Sequence, residues 1–279
     1  MKIFTNLILF LSILFLGGCG TKENTPTGKL NAVVSIVTYA DFVKQIGGEK
    51  VNVDILIPAN ENPHTFEPSP KSIKVIENAD VIFKVGEPFE FEKIFYDKYD
   101  LENDSVIATD CSEGLRKISG NPHMWLSIKN AKQIVLTILN SLLKAAPENK
   151  KYFLERYETY SKHLINLEEE LLAKFERLEN RTLMVFHPAW TYFAEEFNLE
   201  EISIEHEGKS PKAKQLKELI DLAENKNVKA IFVDSRSDVS NAKAIVDQLG
   251  ISVSYINPLP ENYLENIKEV SEEIMRYNK

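Results

Sequence analysis

Short β-rich runs alternate with amphipathic helical stretches along this chain, and this alternation constrains its fold more than any other feature. In the first half the predicted strands are Val33–Val37, Val51–Ile57, Val81–Val85 and Ser105–Thr109. The predicted helices are Tyr39–Ile46, Ser69–Asn78, Phe89–Tyr99 and Ser127–Ala145. Strands that alternate with helices predict a parallel sheet with helices on both of its faces.

The same alternation begins again after residue 180. The predicted strands are Thr182–Phe186, Ile202–Ile204, Val228–Val233 and Ile251–Ile256. The predicted helices are Trp190–Asn198, Pro211–Glu224, Asn241–Leu249 and Leu264–Tyr277. The two halves have no evident sequence similarity, so the pattern indicates repeated architecture and not a sequence repeat. We therefore predict an α/β fold of two lobes, each a parallel sheet flanked by helices.

A long helix is predicted between the lobes, because the stretch from Pro147 to Glu179 contains no Gly and no further Pro. Its apolar residues recur at steps of three and four, which is typical of one face of a helix. They are Phe153, Tyr157, Tyr160, Leu164, Leu167, Leu171, Phe175 and Leu178. An alternative is a coiled-coil dimerisation arm, but the stripe has no clean heptad over its full length. One rigid connecting helix would limit the relative motion of the lobes.

The N-terminus predicts export. Lys2 precedes the apolar run Leu7–Leu16, which is too short to span a bilayer comfortably and is typical of a signal-peptide core. The run ends in Leu16-Gly17-Gly18-Cys19, which resembles the lipobox of bacterial lipoproteins, where the chain is cut before the cysteine and lipid is attached to it. The alternative is an ordinary signal peptide with an incidental cysteine.

The predicted organisation follows from these boundaries. It comprises a signal peptide at 1–18, a flexible polar tether at 19–29, an N-terminal lobe at 30–146, a connecting helix at 147–180 and a C-terminal lobe at 181–279. With Cys19 acylated, Cys111 is the one remaining thiol, so no intramolecular disulfide is expected. The net charge of −9 and the lack of a basic cluster argue against a nucleic-acid partner.

Three of the five histidines, His64, His123 and His187, are next to a proline. Proline fixes φ and restricts its neighbour, so these imidazoles are expected on stiff turns. Each follows the carboxyl end of a predicted strand, the edge where open α/β sheets bind ligands. Two belong to the first lobe and one to the second, which predicts a metal site in the cleft between them. His163 is expected to be a solvated helix residue, and His206 is a reserve ligand.

Three neutral imidazoles favour zinc over magnesium or calcium, which prefer oxygen ligands. Manganese or another divalent transition metal is also compatible with this set. Three histidines and a water are also a catalytic arrangement, so a zinc hydrolase is an alternative. The chain has no His-Glu-x-x-His pair and no Gly-x-Ser-x-Gly elbow, which makes this alternative weaker. A surface adhesin with a structural metal is a third possibility.

Several segments together resemble the TroA-like solute-binding proteins, the zinc- and manganese-binding receptors of ABC importers. Besides the lipobox they are Asn62–Pro68, Pro122–Leu126, Phe186–Phe193 and Glu207–Pro211. The resemblance covers nearly the whole mature chain, including the long helix. It implies a receptor and not an enzyme, lipid-anchored on the outer face of the cytoplasmic membrane. Such a receptor captures a divalent metal and delivers it to a permease driven by an intracellular ATPase, and we expect it to be a monomer.

The resemblance also implies a ligand set. His64, His123 and His187 match the family's three ligand positions, and a histidine at the third position favours zinc over manganese. The fourth ligand in the family is usually an Asp in a stretch resembling Asp-Pro-Leu, which here reads Asn257-Pro258-Leu259. We predict the amide oxygen of Asn257 or a water as the fourth ligand, with Asp234 in reserve.

The residues expected around the ligands form a second set. They are Asn121, Glu67, Glu205, Glu207, Trp125 and Trp190. The family usually has an aspartate where this chain has Asn121, and an amide oxygen accepts the imidazole N–H more weakly than a carboxylate does. The glutamates, with Asp234, are expected to offset the charge of the metal. The tryptophans are expected to exclude water and hold the imidazoles. The family's His-rich mobile loop is missing here.

Overall fold

The computed structural model describes most of the two predicted lobes. The described residues are 28–98, 106–118, 120–205, 211–234, 236 and 240–279. The predicted signal peptide, Cys19, His206 and Glu207 lie outside them. Among the helices of the described ranges, none combines the length and the apolar character needed to cross a bilayer.

The first lobe is a four-stranded parallel sheet with the strand order β2-β1-β3-β4. Its strands are β1 (Leu30–Val34), β2 (Val51–Ile55), β3 (Val81–Lys84) and β4 (Ile107–Asp110). Its helices are α1 (Val37–Gly47), α2 (Pro70–Glu77), α3 (Glu90–Lys98) and α4 (Ile128–Ala145). The prediction of a parallel α/β lobe is confirmed.

The end of β1 differs from the prediction. The strand begins at Leu30 and its pairing with β2 ends at Val34, whereas the sequence pattern extended it to Val37. Ile36 is the N-cap of α1 in an extended conformation, and Val37 is already helical. Both residues are buried. Their apolar character therefore reflects burial and does not distinguish a strand from the first turn of a helix.

The connecting helix, α5, is Lys150–Phe175, preceded by a short 3-10 turn at Pro147–Asn149. It packs against α1 and α4 of the first lobe and against the last helix of the chain. At its C-terminal end the Phe175 ring stacks on Phe197 with a centroid distance of 4.8 Å. The helix ends one turn earlier than predicted. The prediction was too long because Leu178, which lies beyond the end of the helix, still packs on the core and so continues the apolar stripe.

The second lobe repeats the architecture, with the strand order β6-β5-β7-β8 and parallel pairing throughout. Its strands are β5 (Thr182–Val185), β6 (Glu200–Ser203), β7 (Ala230–Val233) and β8 (Ser252–Tyr255). Its helices are α6 (Thr191–Glu196), α7 (Ala213–Asn225), α8 (Ser240–Leu249) and α9 (Tyr263–Tyr277).

The hydrophobic core explains why the lobes are held together. Leu183 and Val185 of β5 face a large core shared by the first lobe, α5 and α9, whereas Met184 and Phe186 face a smaller core on the outer side of the second sheet. This alternation is the two-residue period of a strand buried on both faces. One continuous apolar core across both lobes favours a rigid pair over two hinged units.

Candidate metal centre

His64 lies in the loop between β2 and α2. The side-chain oxygen of Asn62 accepts a hydrogen bond from the His64 backbone N–H at 2.9 Å, and Thr65 N donates to the Asn62 carbonyl at 3.1 Å. Such a turn is a common use of Asn before Pro. It presents the imidazole at the carboxyl edge of the first sheet, although the residue as a whole remains exposed.

His123 is buried, with 7% of its surface exposed, and precedes the 3-10 turn Met124–Leu126 that leads into α4. The side-chain oxygen of Asn121 accepts a hydrogen bond from the His123 backbone N–H at 3.0 Å and is 2.8 Å from ring Nδ1. Since an amide oxygen only accepts, Nδ1 carries the proton and Nε2 keeps its lone pair. The neutral ring is thereby prepared to bind a cation through Nε2.

His187 lies two residues after the end of β5. Its Nδ1 is 3.1 Å from the carboxylate of Glu205, which follows β6 and whose backbone N–H donates to the Phe186 carbonyl at 2.9 Å. Its Nε2 is buried and has no hydrogen-bond partner among the described residues. A buried ring nitrogen without a partner is costly unless something else uses its lone pair.

The three imidazoles converge on one point. The ring centroids are 5.6 Å apart for His64 and His123, 5.1 Å for His64 and His187, and 5.3 Å for His123 and His187. One nitrogen from each ring lies within 4.8 Å of the other two. Among the described His, Cys, Asp and Glu side chains, these three histidines are the grouping that could hold a metal ion.

The surroundings keep two of these rings neutral. Burial, followed by the proximity of His187 and His64, lowers the pKa of His123 well below its usual value. The His64 residue keeps solvent contact, but desolvation of its ring and the proximity of His187 lower its pKa to about 4. Neutral imidazoles at neutral pH are the form that binds transition metals.

Two of the residues expected as candidates for the fourth position, Asp234 and Asn257, are both bound to Arg236, a residue that no sequence motif indicated. The Asp234 carboxylate accepts hydrogen bonds from Arg236 Nε and Nη2 at 2.9 and 2.8 Å. The Asn257 amide oxygen accepts from Arg236 Nη2 and from Leu259 N, both at 2.9 Å. The sequence did offer one signal for Arg236. It lies two residues after Asp234, the carboxylate that follows the buried strand β7.

The predicted surrounding residues divide into those that touch the histidines and those that do not. The Trp125 ring lies 5.3 Å from His123, centroid to centroid, and its Nε1 donates to the Pro258 carbonyl at 2.8 Å. Trp190 is buried and packs on Phe193 at 5.6 Å. Glu67 is exposed in the loop of His64.

Asn121 also joins the segments of His123 and His187, a role that its position in the sequence did not indicate. Its Nδ2 donates to the Pro188 carbonyl at 3.2 Å and to Thr191 Oγ1 at 2.9 Å. The backbone carbonyl of Asn121 accepts a hydrogen bond from the Tyr192 hydroxyl at 3.2 Å. These bonds cross from the first lobe to the second beside the imidazoles.

Known proteins resemble this chain over most of its length. A family model described as zinc-uptake complex component A, periplasmic (ZnuA), matches residues 32–277. The manganese ABC transporter substrate-binding lipoprotein PsaA of Streptococcus anginosus is 28% identical over 99% of this chain and 96% of its own. The metal ABC transporter substrate-binding lipoprotein SloC of Streptococcus mutans is 30% identical over 89% of this chain and 86% of its own. A crystal structure of ZnuA is 30% identical, with a TM-score of 0.84, over 90% of this chain and all of that one.

Proposed function

We propose that this chain, which belongs to the ZnuA family of zinc-uptake proteins, binds a divalent metal ion through His64, His123 and His187 and delivers it to an ABC-type importer. The observation that carries the proposal is the convergence of three imidazoles from three separate segments, two from one lobe and one from the other. Two of the rings also donate Nδ1–H to fixed acceptors, which leaves Nε2 for the ion.

The preferred ion under this proposal is zinc. Three nitrogen ligands suit zinc better than they suit manganese, which is also bound readily by oxygen ligands. The relatives differ in the metal that their names carry, since PsaA is named for manganese and ZnuA for zinc uptake. The choice of zinc over manganese therefore rests on the ligand atoms of this site, which are the imidazole nitrogens of the three histidines.

For the fourth position we propose a water molecule. The Asn257 amide oxygen already accepts two hydrogen bonds, which occupy both of its lone pairs. The Asp234 carboxylate is engaged by the Arg236 guanidinium. Either residue would have to give up a partner in order to bind the ion, whereas water would not.

Anchoring at the membrane is a further part of the proposal. PsaA and SloC are named as lipoproteins of ABC transporters. We propose that Cys19 carries the lipid, that residues 19–29 tether the two lobes outside the cytoplasmic membrane, and that a monomer meets the permease and its ATPase there.

The alternatives are not favoured. The family consists of metal-transport proteins and not of enzymes, so a zinc hydrolase has no support from it. A metal that serves only to stabilise an adhesin would not be exchangeable in the folded protein, whereas a transported ion has to be.

The test is a metal titration of the mature chain, prepared without lipid and stripped with chelator. We expect one zinc ion per chain, reversible binding, and weaker manganese binding at the same site. Each of His64→Ala, His123→Ala and His187→Ala should weaken zinc binding, while His163→Ala is the matched control because His163 is exposed on α5. Wild-type zinc affinity in all three site variants would overturn the proposal.

A further inference from the structure

Arg236 is the one described cation whose guanidinium contacts both candidates for the fourth position, and its side chain is only 18% exposed. Asp234 fixes one edge of the guanidinium through two N–H donors, and the Asn257 amide oxygen accepts from Nη2 as well. The remaining nitrogen, Nη1, donates across the cleft to the backbone carbonyl of Ala59 at 3.3 Å. Arginine can make this set of contacts because its planar fork carries five N–H donors.

Ala59 belongs to the loop that carries His64. The other hydrogen bonds of this loop in the described residues stay within the first lobe, as from Ile57 N to the Ser35 carbonyl at 3.1 Å and from Glu61 N to the Pro58 carbonyl at 3.0 Å. Within the part of the chain that the structure describes, the bond from Arg236 is the one that ties this loop to the second lobe. His64 is also the exposed member of the three histidines, whereas His123 is buried.

The guanidinium is itself held in place from both sides. The Asn257 oxygen is fixed by Leu259 N, and the next residue, Pro258, accepts the Trp125 indole N–H at 2.8 Å. Trp125 lies two residues after His123. The segment that orients Arg236 is therefore bonded to the segment that carries a second histidine, while Arg236 is bonded to the loop that carries the first.

The charge of Arg236 is compatible with a dication nearby. Asp234 forms a two-pronged ion pair with it, so the pair as a whole is neutral. Its contribution to the site is then geometric: a hydrogen bond to a backbone carbonyl limits how far the His64 loop can move away from His187 and His123.

We propose that Arg236 is a positioning residue for His64, which holds the His64 loop against the second lobe and thereby slows the release of bound metal. This inference rests on the proposed function of the site. It assigns metal retention to a residue that is not itself a ligand.

The experiment compares the mature wild-type chain with Arg236→Gln and Arg236→Lys by zinc titration and by the rate of zinc transfer to excess chelator. Arg236→Gln should bind zinc about tenfold more weakly, the factor that corresponds to 1.4 kcal/mol. Most of the change should appear as faster release. Arg236→Lys should bind zinc nearly as weakly as Arg236→Gln, because one ammonium cannot hold Asp234, Asn257 and Ala59 together.

Two further variants separate positioning from general damage. Arg181→Gln is the matched control, since Arg181 also donates to backbone carbonyls, those of Phe197 and Asn198 in the second lobe and that of Glu176 at the end of α5, and it should leave zinc release unchanged. Arg236→Gln combined with Asp234→Asn removes the carboxylate that would otherwise lose its partner. It should show the same loss as Arg236→Gln.

The deciding measurement is a double-mutant cycle with His64. In a His64→Ala background, Arg236→Gln should cause no additional loss of zinc affinity, because the residue through which it acts is gone. An equal loss in both backgrounds, or tighter zinc binding by Arg236→Gln, would overturn the inference. Zinc binding that survives all three histidine substitutions would instead remove the proposed site, so the two failures are distinguishable.

Discussion

The side-chain oxygen of Asn121 lies 2.8 Å from Nδ1 of His123. The nitrogen of the same amide donates to the Pro188 carbonyl and to Thr191 Oγ1 in the other lobe. From the sequence alone, an amide at this position is expected to act as a weaker acceptor than a carboxylate. The structure shows that it also uses its donor, which a carboxylate lacks.

Asn121→Asp is therefore expected to destabilise the metal-free protein. The new carboxylate would place an oxygen against the Pro188 carbonyl, and the Thr191 hydroxyl already donates to Glu201. Loss of buried hydrogen bonds of this kind costs about 1–3 kcal/mol in the free energy of unfolding. Denaturant unfolding in the presence of chelator measures the change, and an unchanged midpoint and slope would contradict the prediction.

Glu205→Gln is expected to weaken zinc binding by about 10-fold or more, the lower end of the usual effect of removing a partner of a metal-binding histidine. The carboxylate accepts from His187 Nδ1, and a neutral amide oxygen accepts that proton less strongly. The matched control is Glu200→Gln, because Glu200 begins β6, the strand that Glu205 follows, but pairs with Lys226. Competition against a coloured chelator gives both affinities, and equal affinities would contradict the prediction.

Asn257→Asp is expected to change zinc affinity by less than about threefold, below 1 kcal/mol. An aspartate oxygen can accept the same hydrogen bonds from Arg236 and Leu259 and gains an ion pair with the guanidinium. Calorimetric titration of both proteins with zinc checks this. Much tighter zinc binding by Asn257→Asp would instead show that residue 257 is a metal ligand and would contradict the proposal of water as the fourth ligand.

Protonation of His64 should lower the stability of the metal-free protein in acid. The pKa of His64 is lowered to about 4 in the folded chain, whereas an unfolded histidine titrates near 6.5. Between these two pH values the unfolded chain binds more protons than the folded chain. The free energy of unfolding therefore decreases as the pH falls from about 7 to about 4. In urea unfolding over this range, wild type should lose stability relative to His64→Gln. A pH-independent difference between the two would contradict the prediction.

The contribution of Glu196 to stability should change with pH in the opposite direction. Burial first, and then the neighbouring Glu168, raise its pKa to about 7, against the donors Ser127 and the Lys129 backbone N–H. The folded chain retains a proton that the unfolded chain loses near pH 4.3, so this stability is present in acid and is lost as the pH rises toward about 7.

The comparison for Glu196 uses Glu196→Gln, which has no titrating carboxyl. The stability of wild type should fall relative to this variant between about pH 4.5 and 7.5. Glu195→Gln is the control, because Glu195 is exposed and pairs with Arg116. A parallel pH dependence of wild type and Glu196→Gln would show that Glu196 is ionised in the folded protein throughout.

Most of the fold was predictable because its signals are local. The two β-α series, the parallel sheets and the long helix all follow from residue periodicity, and each of these is present. The errors fall at boundaries. Ser35–Val37 are buried whether the backbone is extended or helical, and Leu178 packs on the core from beyond the end of α5. At both places burial continues across a change in backbone conformation, which periodicity cannot locate.

By itself, the sequence determined which elements form and that three proline-flanked histidines lie at the carboxyl edges of strands, because these properties depend on neighbouring residues. Only the tertiary structure decided what those histidines touch. The bond from Asn121 to Thr191 joins residues 70 positions apart, and the bond from Arg236 to Ala59 joins residues 177 positions apart. No local pattern encodes such pairs, since they exist only when a shared core has brought the two sheets edge to edge.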